Sequence, residues 1–165
     1  MSKEFFYLYV MLPDYLSDWL FNQFGDKEFN HIVFPRSSVE HKIIKIFLTT
    51  KPKDLQPDLI HCGMTKILIP YFTGRDPCYY NFLPKKAIGI LIKTIQDRFD
   101  VELWSYMSNF IKSSSLKEDL IYAWMERNNI NETEKNFNAI VKRYDRLRMA
   151  YRNRERQKKF RKKSQ

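Results

Sequence analysis

Residues 131–163 read NETEKNFNAIVKRYDRLRMAYRNRERQKKFRKK, and this stretch decides the kind of fold the chain has. Asn131-Glu132-Thr133-Glu134 is a helix-start pattern, with small polar residues able to accept the first free backbone N–H groups. Behind it Phe137, Ile140, Val141, Tyr144, Leu147 and Tyr151 recur at spacings of 3, 1, 3, 3 and 4, the period of a helix with one apolar stripe. Lys135, Lys142, Arg143 and Arg146 fall opposite that stripe on a helical wheel. After Tyr151 the pattern ends. Arg152, Arg154, Arg156, Lys158, Lys159, Arg161, Lys162 and Lys163 point in every direction, with Glu155 as the one acid among them. Such a segment cannot lie against an apolar core.

Working outward, Leu120, Ile121, Trp124 and Met125 form the apolar face of a preceding helix. Ser115-Leu116-Lys117-Glu118 is its capping-box start, and Asn128-Asn129 its stop, because Asn tolerates the left-handed backbone that ends helices. Two more helical patterns come before it, residues 84–99 and 103–111, the break being placed where Asp97 and Asp100 read as a helix end and a cap. In the first half three strand patterns, residues 5–11, 31–34 and 66–72, alternate with two helix patterns. The first helix places Tyr15, Leu16, Trp19, Leu20 and Phe24 on one face. The second opens with Ser37 bonding the amide of Glu40 and buries Val39, Ile43, Ile46 and Phe47. Residues 73–84 read as loop. The expected fold is α+β: a small three-stranded β/α layer at the N-terminus, then a mostly helical half ending in a long basic helix. The expected units are residues 1–112, an α/β body, and 113–165, a helical hairpin with a basic arm.

Charge sharpens this division. Of 29 Lys and Arg and 19 Asp and Glu, twelve bases and two acids lie between Lys142 and Lys163. Seventeen of each remain elsewhere (29 less 12, 19 less 2), so the body is neutral and the excess of ten sits on one terminal element. Residues 152–163 alone carry eight bases and one acid, a net of +7. A cationic run of this kind meets phosphate through Lys and Arg contacts and counterion release, without needing base recognition.

The last two helices with their short polar turn resemble the helix-turn-helix arrangement, a generic likeness confined to about the last fifty residues. The resemblance implies that the second helix enters the DNA major groove. Asn136, Lys142, Arg143 and Arg146 then become candidate contacts to phosphates or base edges, together with Lys135 and the arm. The alternative is a plain α-hairpin whose charged face is solvated. Nucleic acid is the expected partner, DNA ahead of RNA, in an accessory or regulatory role.

A second reading makes the chain an adaptor, with the stripe from Phe137 to Tyr151 packing on a partner or on its own copy. Exposure of that stripe would favour this reading, and coverage by Leu120 and Trp124 would leave the arm as the main contact element. Tyr79, Tyr80 and Phe82 beside Arg75, Lys85 and Lys86 offer a lesser stacking surface for a single strand.

Enzyme signals are thin. There is no CxxC, HExxH, glycine-rich phosphate loop or nucleophile elbow; only His61-Cys62 juxtaposes two ligand types, and Asp76, Asp97 and Asp100 are scattered. No catalysis, cofactor or metal is expected. No apolar run reaches the ~20 residues that span a bilayer, so a cytoplasmic protein with no membrane partner is expected. Cys62 and Cys78 lack disulfide-framework spacing and read as reduced thiols.

Overall fold

The structure, a computed structural model, describes residues 5–53, 63–110 and 116–163, the side chains of Lys162 and Lys163 excepted. The fold is α+β, with five helices among the described residues, a small four-stranded sheet and a long C-terminal helix. The chain divides into two units, Met1–Asp97 and Arg98–Gln165. The division falls inside α3 (Lys85–Phe110), ahead of the expected 112/113 boundary.

In the first unit β1 (Tyr7–Val10) pairs antiparallel with β5 (Thr65–Leu68), Tyr7 facing Leu68 and Val10 facing Thr65. On the other side of β5 lies β3 (His31–Ile32), parallel to it, with Ile32 opposite Ile67. These are the three expected strands. A fourth, β2 (Gly25–Asp26), pairs antiparallel with β3 and gives the order β1-β5-β3-β2. Alternation sets the inner face. Leu8 and Val10 are buried between half-buried Tyr7 and Tyr9, and Thr65 and Ile67 are buried between half-buried Lys66 and Leu68. Leu16, Trp19 and Leu20 of α1 (Asp14–Phe24) are buried as their spacing requires.

Gly25 ends α1 by handing the chain directly into β2. A Cβ built there would collide with the carbonyl oxygen of Phe21 and lie 2.7 Å from its ring. Gly25→Ala therefore forces backbone or ring displacement, and a loss of about 1–3 kcal/mol is expected by denaturant unfolding. A variant as stable as the parent would show that β2 moves without cost.

Three local expectations are corrected in this unit. The cap of α2 (Val39–Phe47) is Ser38, whose Oγ accepts from the backbone N–H of His41 at 3.1 Å. Ser37 is taken up by a turn closed by the Ser38 N–H on the Pro35 carbonyl, which delays the helix by one residue. The buried face of α2 is Glu40, His41, Ile43 and Ile44, whereas Val39 and Ile46 are 53% and 66% exposed. Two polar residues occupy interior positions there, His41 meeting the Phe72 ring edge-on at 5.2 Å. Finally, residues 73–84 are not all loop: β6 (Tyr80–Phe82) pairs antiparallel with β4 (Thr49–Thr50). Asp76 folds the approach, its Oδ1 accepting from the Cys78 N–H at 2.9 Å.

His31 is buried among the rings of Phe5, Tyr7 and Phe29. Burial lowers its pKa below 6.5, with Asp26 opposing and Lys66 assisting. Burial likewise lowers that of His41, helped by Arg36 and Lys45. Both histidines bind protons more weakly folded than unfolded, so stability present above pH 6.5 is lost as pH falls from there toward the folded pKa values. Thermal melts at roughly pH 7.5 and 5.5 should show this fall, and His31→Phe should reduce it. An unchanged difference in the variant would assign the effect elsewhere.

In the second unit the end of α3 contributes Phe99, Leu103 and Met107, all fully buried. They continue an unbroken series of fours that begins with Ala87, Leu91 and Ile95. The expected break between residues 99 and 103 therefore does not occur. Asp97 pairs along the helix with Lys93 at 2.5 Å, and Asp100 is bound by Arg143, so neither acid is free to cap a new helix. Leu120, Ile121, Trp124 and Met125 of α4 (Lys117–Arg127) are buried with Ile140 and Tyr144 of α5 (Glu134–Lys163). Trp124 meets Phe99 edge-on at 6.2 Å and Tyr106 at 5.2 Å.

The N-cap of α4 is Leu116, with no side-chain capping bond; the expected cap Ser115 lies outside the described residues. At its other end Asn129 adopts φ 50°. The Asn129 N–H donates to Glu126 and the Ile130 N–H to Met125, a full Schellman closure with Asn in the left-handed position. Thr133 caps α5, its Oγ1 accepting from the Asn136 N–H at 3.2 Å.

Candidate nucleic-acid interface

The relation between α4 and α5 decides whether a helix is offered to a DNA groove. Tyr122 stacks on Phe137 with ring centroids 4.4 Å apart, and Lys117 Nζ lies 3.3 Å from Asp145. Residue numbers thus rise along α5 as they fall along α4. The two helices are therefore joined at their turn end by the aromatic pair and further along by the ion pair, running in opposite senses where they meet.

This pairing reassigns two candidate residues. Asn136 is 2% exposed, and its Nδ2 donates to the Asn131 carbonyl at 3.0 Å, tying down the turn. Arg143 is not on the outer face. Its Nε and Nη2 donate to the two oxygens of Asp100, the second at 3.0 Å, both side chains being about one-fifth exposed. The paired fork holds α5 against α3. Lys135, Lys142 and Arg146 are exposed, as the wheel required.

The apolar stripe is used within the unit through Tyr144. Ile140 and Tyr144 are buried, Phe137 lies on Tyr122, and Val141 and Leu147 are half-buried. Burial and Asp145 raise the Tyr144 hydroxyl pKa, against Arg148 and Arg152. At Tyr151, 52% exposed, the stripe ends.

Beyond it Arg152, Arg154, Arg156, Lys158, Lys159 and Arg161 are all exposed, and the helix continues to Lys163. The side chains of Lys162 and Lys163 lie outside the described residues. From Arg152 the helix runs on for about 18 Å, at 1.5 Å per residue. Like charges at i and i+4 oppose an isolated helix, yet here the helix is already nucleated by its packed half, and extension is cheap once nucleated. Arg, Lys, Gln and Glu are good helix formers. Cations also suit the negative C-terminal end of the dipole, and Glu155 pairs with Lys158 at 2.9 Å.

Beside the root of the arm lies a groove of about 510 Å³ between α3 and α5, lined by Val101, Trp104, Asn109, Ala150, Tyr151 and Arg154 among others. Trp104 lies between Tyr144, at 6.1 Å, and Tyr151, at 5.2 Å. Residue 104 stands beside the buried series 99, 103, 107 and not on it.

The lesser stacking surface is partly committed to the fold. Arg75 Nη1 donates to the Lys45 and Leu48 carbonyls, and Tyr80 and Phe82 belong to β6. Tyr79, Lys85 and Lys86 are exposed. Of the scattered acids, Asp76 holds its own turn, Asp97 pairs with Lys93, and Asp100 with Arg143. His61 and Cys62 lie outside the described residues. Among the described residues no three His, Cys, Asp or Glu side chains gather as metal ligands, and no helix is long and apolar enough to cross a membrane.

No protein-family model, curated protein or solved structure matches this chain.

Proposed function

We propose that the chain binds nucleic acid, as a non-catalytic accessory or regulatory protein, through phosphate contacts made by the end of α5. The observation that carries this reading is the change of character at Tyr151. Up to that point cations sit on the outer side of a packed helix; beyond it six described cations, all exposed, surround a helix with no apolar face. No packing role accounts for them, and a rod of positive charge suits the phosphate backbone.

Asn136 and Arg143, engaged inside the unit, are not free to read base edges, which favours backbone contact. Lys142 and Arg146 extend the basic surface. The adaptor reading needs an open stripe, and burial of Ile140 and Tyr144 weighs against it.

The test compares the full chain with one ending at Tyr151, titrated with duplex DNA, single-stranded DNA and RNA across a salt series. Salt-sensitive binding that depends on the arm is expected. Equal binding by both chains would overturn the proposal, and the ligand bound best decides between DNA and RNA.

A further inference from the structure

We propose that the groove at the root of the arm holds an unpaired nucleobase, giving the protein a preference for single-stranded or frayed nucleic acid. The inference rests on the phosphate-binding reading and adds the ligand class to it.

The Tyr144–Trp104–Tyr151 rings form a short ladder with a closed end and an open end. Tyr144 is 3% exposed and Tyr151 is 52% exposed. Trp104 and Tyr151 stand 5.2 Å apart at 39°, too close to admit a third ring between them. The place for a base is therefore the open side of Tyr151, in the groove that Val101 and Ala150 also line. Any base can stack there, since each has a π-face. Ser105, Ser108 and Asn109 on the α3 wall supply donors and acceptors for a base edge.

Charge agrees with this occupant. Asp100, the one acid lining the groove, is already neutralised by Arg143. Arg154 stands at the rim, one turn beyond Tyr151, and Lys158 follows a turn later on the same side of the helix. A strand whose base enters the groove would continue along that basic row. A duplex keeps its bases stacked inside, so it gains the row and not the groove. The volume lies within the roughly 300–1,000 Å³ of small-molecule sites.

The experiment uses the full chain, a short oligothymidylate, and a blunt duplex of equal length. Trp19 and Trp124 are buried and Trp104 is half-buried, so a change in tryptophan emission on adding oligothymidylate is expected to come from Trp104. Tyr151→Leu keeps apolar bulk at an exposed position but cannot stack. It is expected to weaken oligothymidylate binding roughly 5- to 150-fold, with duplex affinity and both salt slopes unchanged. Trp104→Phe should retain binding where Trp104→Leu loses it. Equal weakening for duplex and single strand, or none for either, would overturn the groove and leave phosphate binding by the arm standing. If the parent bound neither probe, both readings would fall together.

Discussion

Removing everything after Tyr151 is expected to flatten the salt dependence of duplex binding by up to about seven units of log–log slope. Each phosphate neutralised contributes about −0.9 to that slope through counterion release. The eight Lys and Arg removed with the arm set the ceiling, since Lys142, Arg146 and the other surface cations remain in the shortened chain. A protein making that many contacts loses roughly ten-thousand-fold in affinity between about 50 and 200 mM salt. The shortened chain should lose much less, and should bind more weakly at every salt concentration.

A second variant separates charge from length. Glutamine at Arg152, Arg154, Arg156, Lys158, Lys159 and Arg161 keeps a good helix former at each position. It should reproduce most of the truncation's effect, only Lys162 and Lys163 remaining charged on the arm. If that variant binds like the parent while the truncation does not, the arm acts through shape or through Phe160, and the electrostatic account fails.

Those arm cations could be read from the sequence because charge order is written directly in it. So could the stripe of α5 and the Asn129 stop, each a local pattern with one physical cause. What escaped was set by partners distant in sequence. Arg143 falls on the polar side of the wheel, yet Asp100, forty-three residues earlier, draws it inward. The α2 face was misplaced because hydrophobic spacing cannot foresee the interior positions of Glu40 and His41. Short strands such as β4 and β6 carry too few residues for an alternation to register. The contacts between α4 and α5, Tyr122 with Phe137 and Lys117 with Asp145, join residues far apart in sequence, and no spacing within either helix reports them. The Trp104–Tyr151 groove escaped for the same reason, its two walls coming from helices about forty residues apart.

Trp124→Ala should be the most damaging single change in the second unit, with an expected loss of about 3–5 kcal/mol. The ring is 4% exposed and touches both Phe99 and Tyr106, so its removal leaves a cavity on two sides. Trp124→Phe tests a competing term. The Trp124 Nε1–H is buried with no hydrogen-bond acceptor among the described residues, and an unpaired buried donor costs about 1–3 kcal/mol. Phenylalanine loses part of the ring volume but also that uncompensated donor, and the two effects oppose each other. The expected outcome is a phenylalanine variant within about 1 kcal/mol of the parent, against the large loss in alanine. Chemical denaturation followed by far-ultraviolet circular dichroism measures both. If phenylalanine destabilises nearly as much as alanine, the Nε1–H has an acceptor in solution, and the ring is held by a hydrogen bond as well as by its packing.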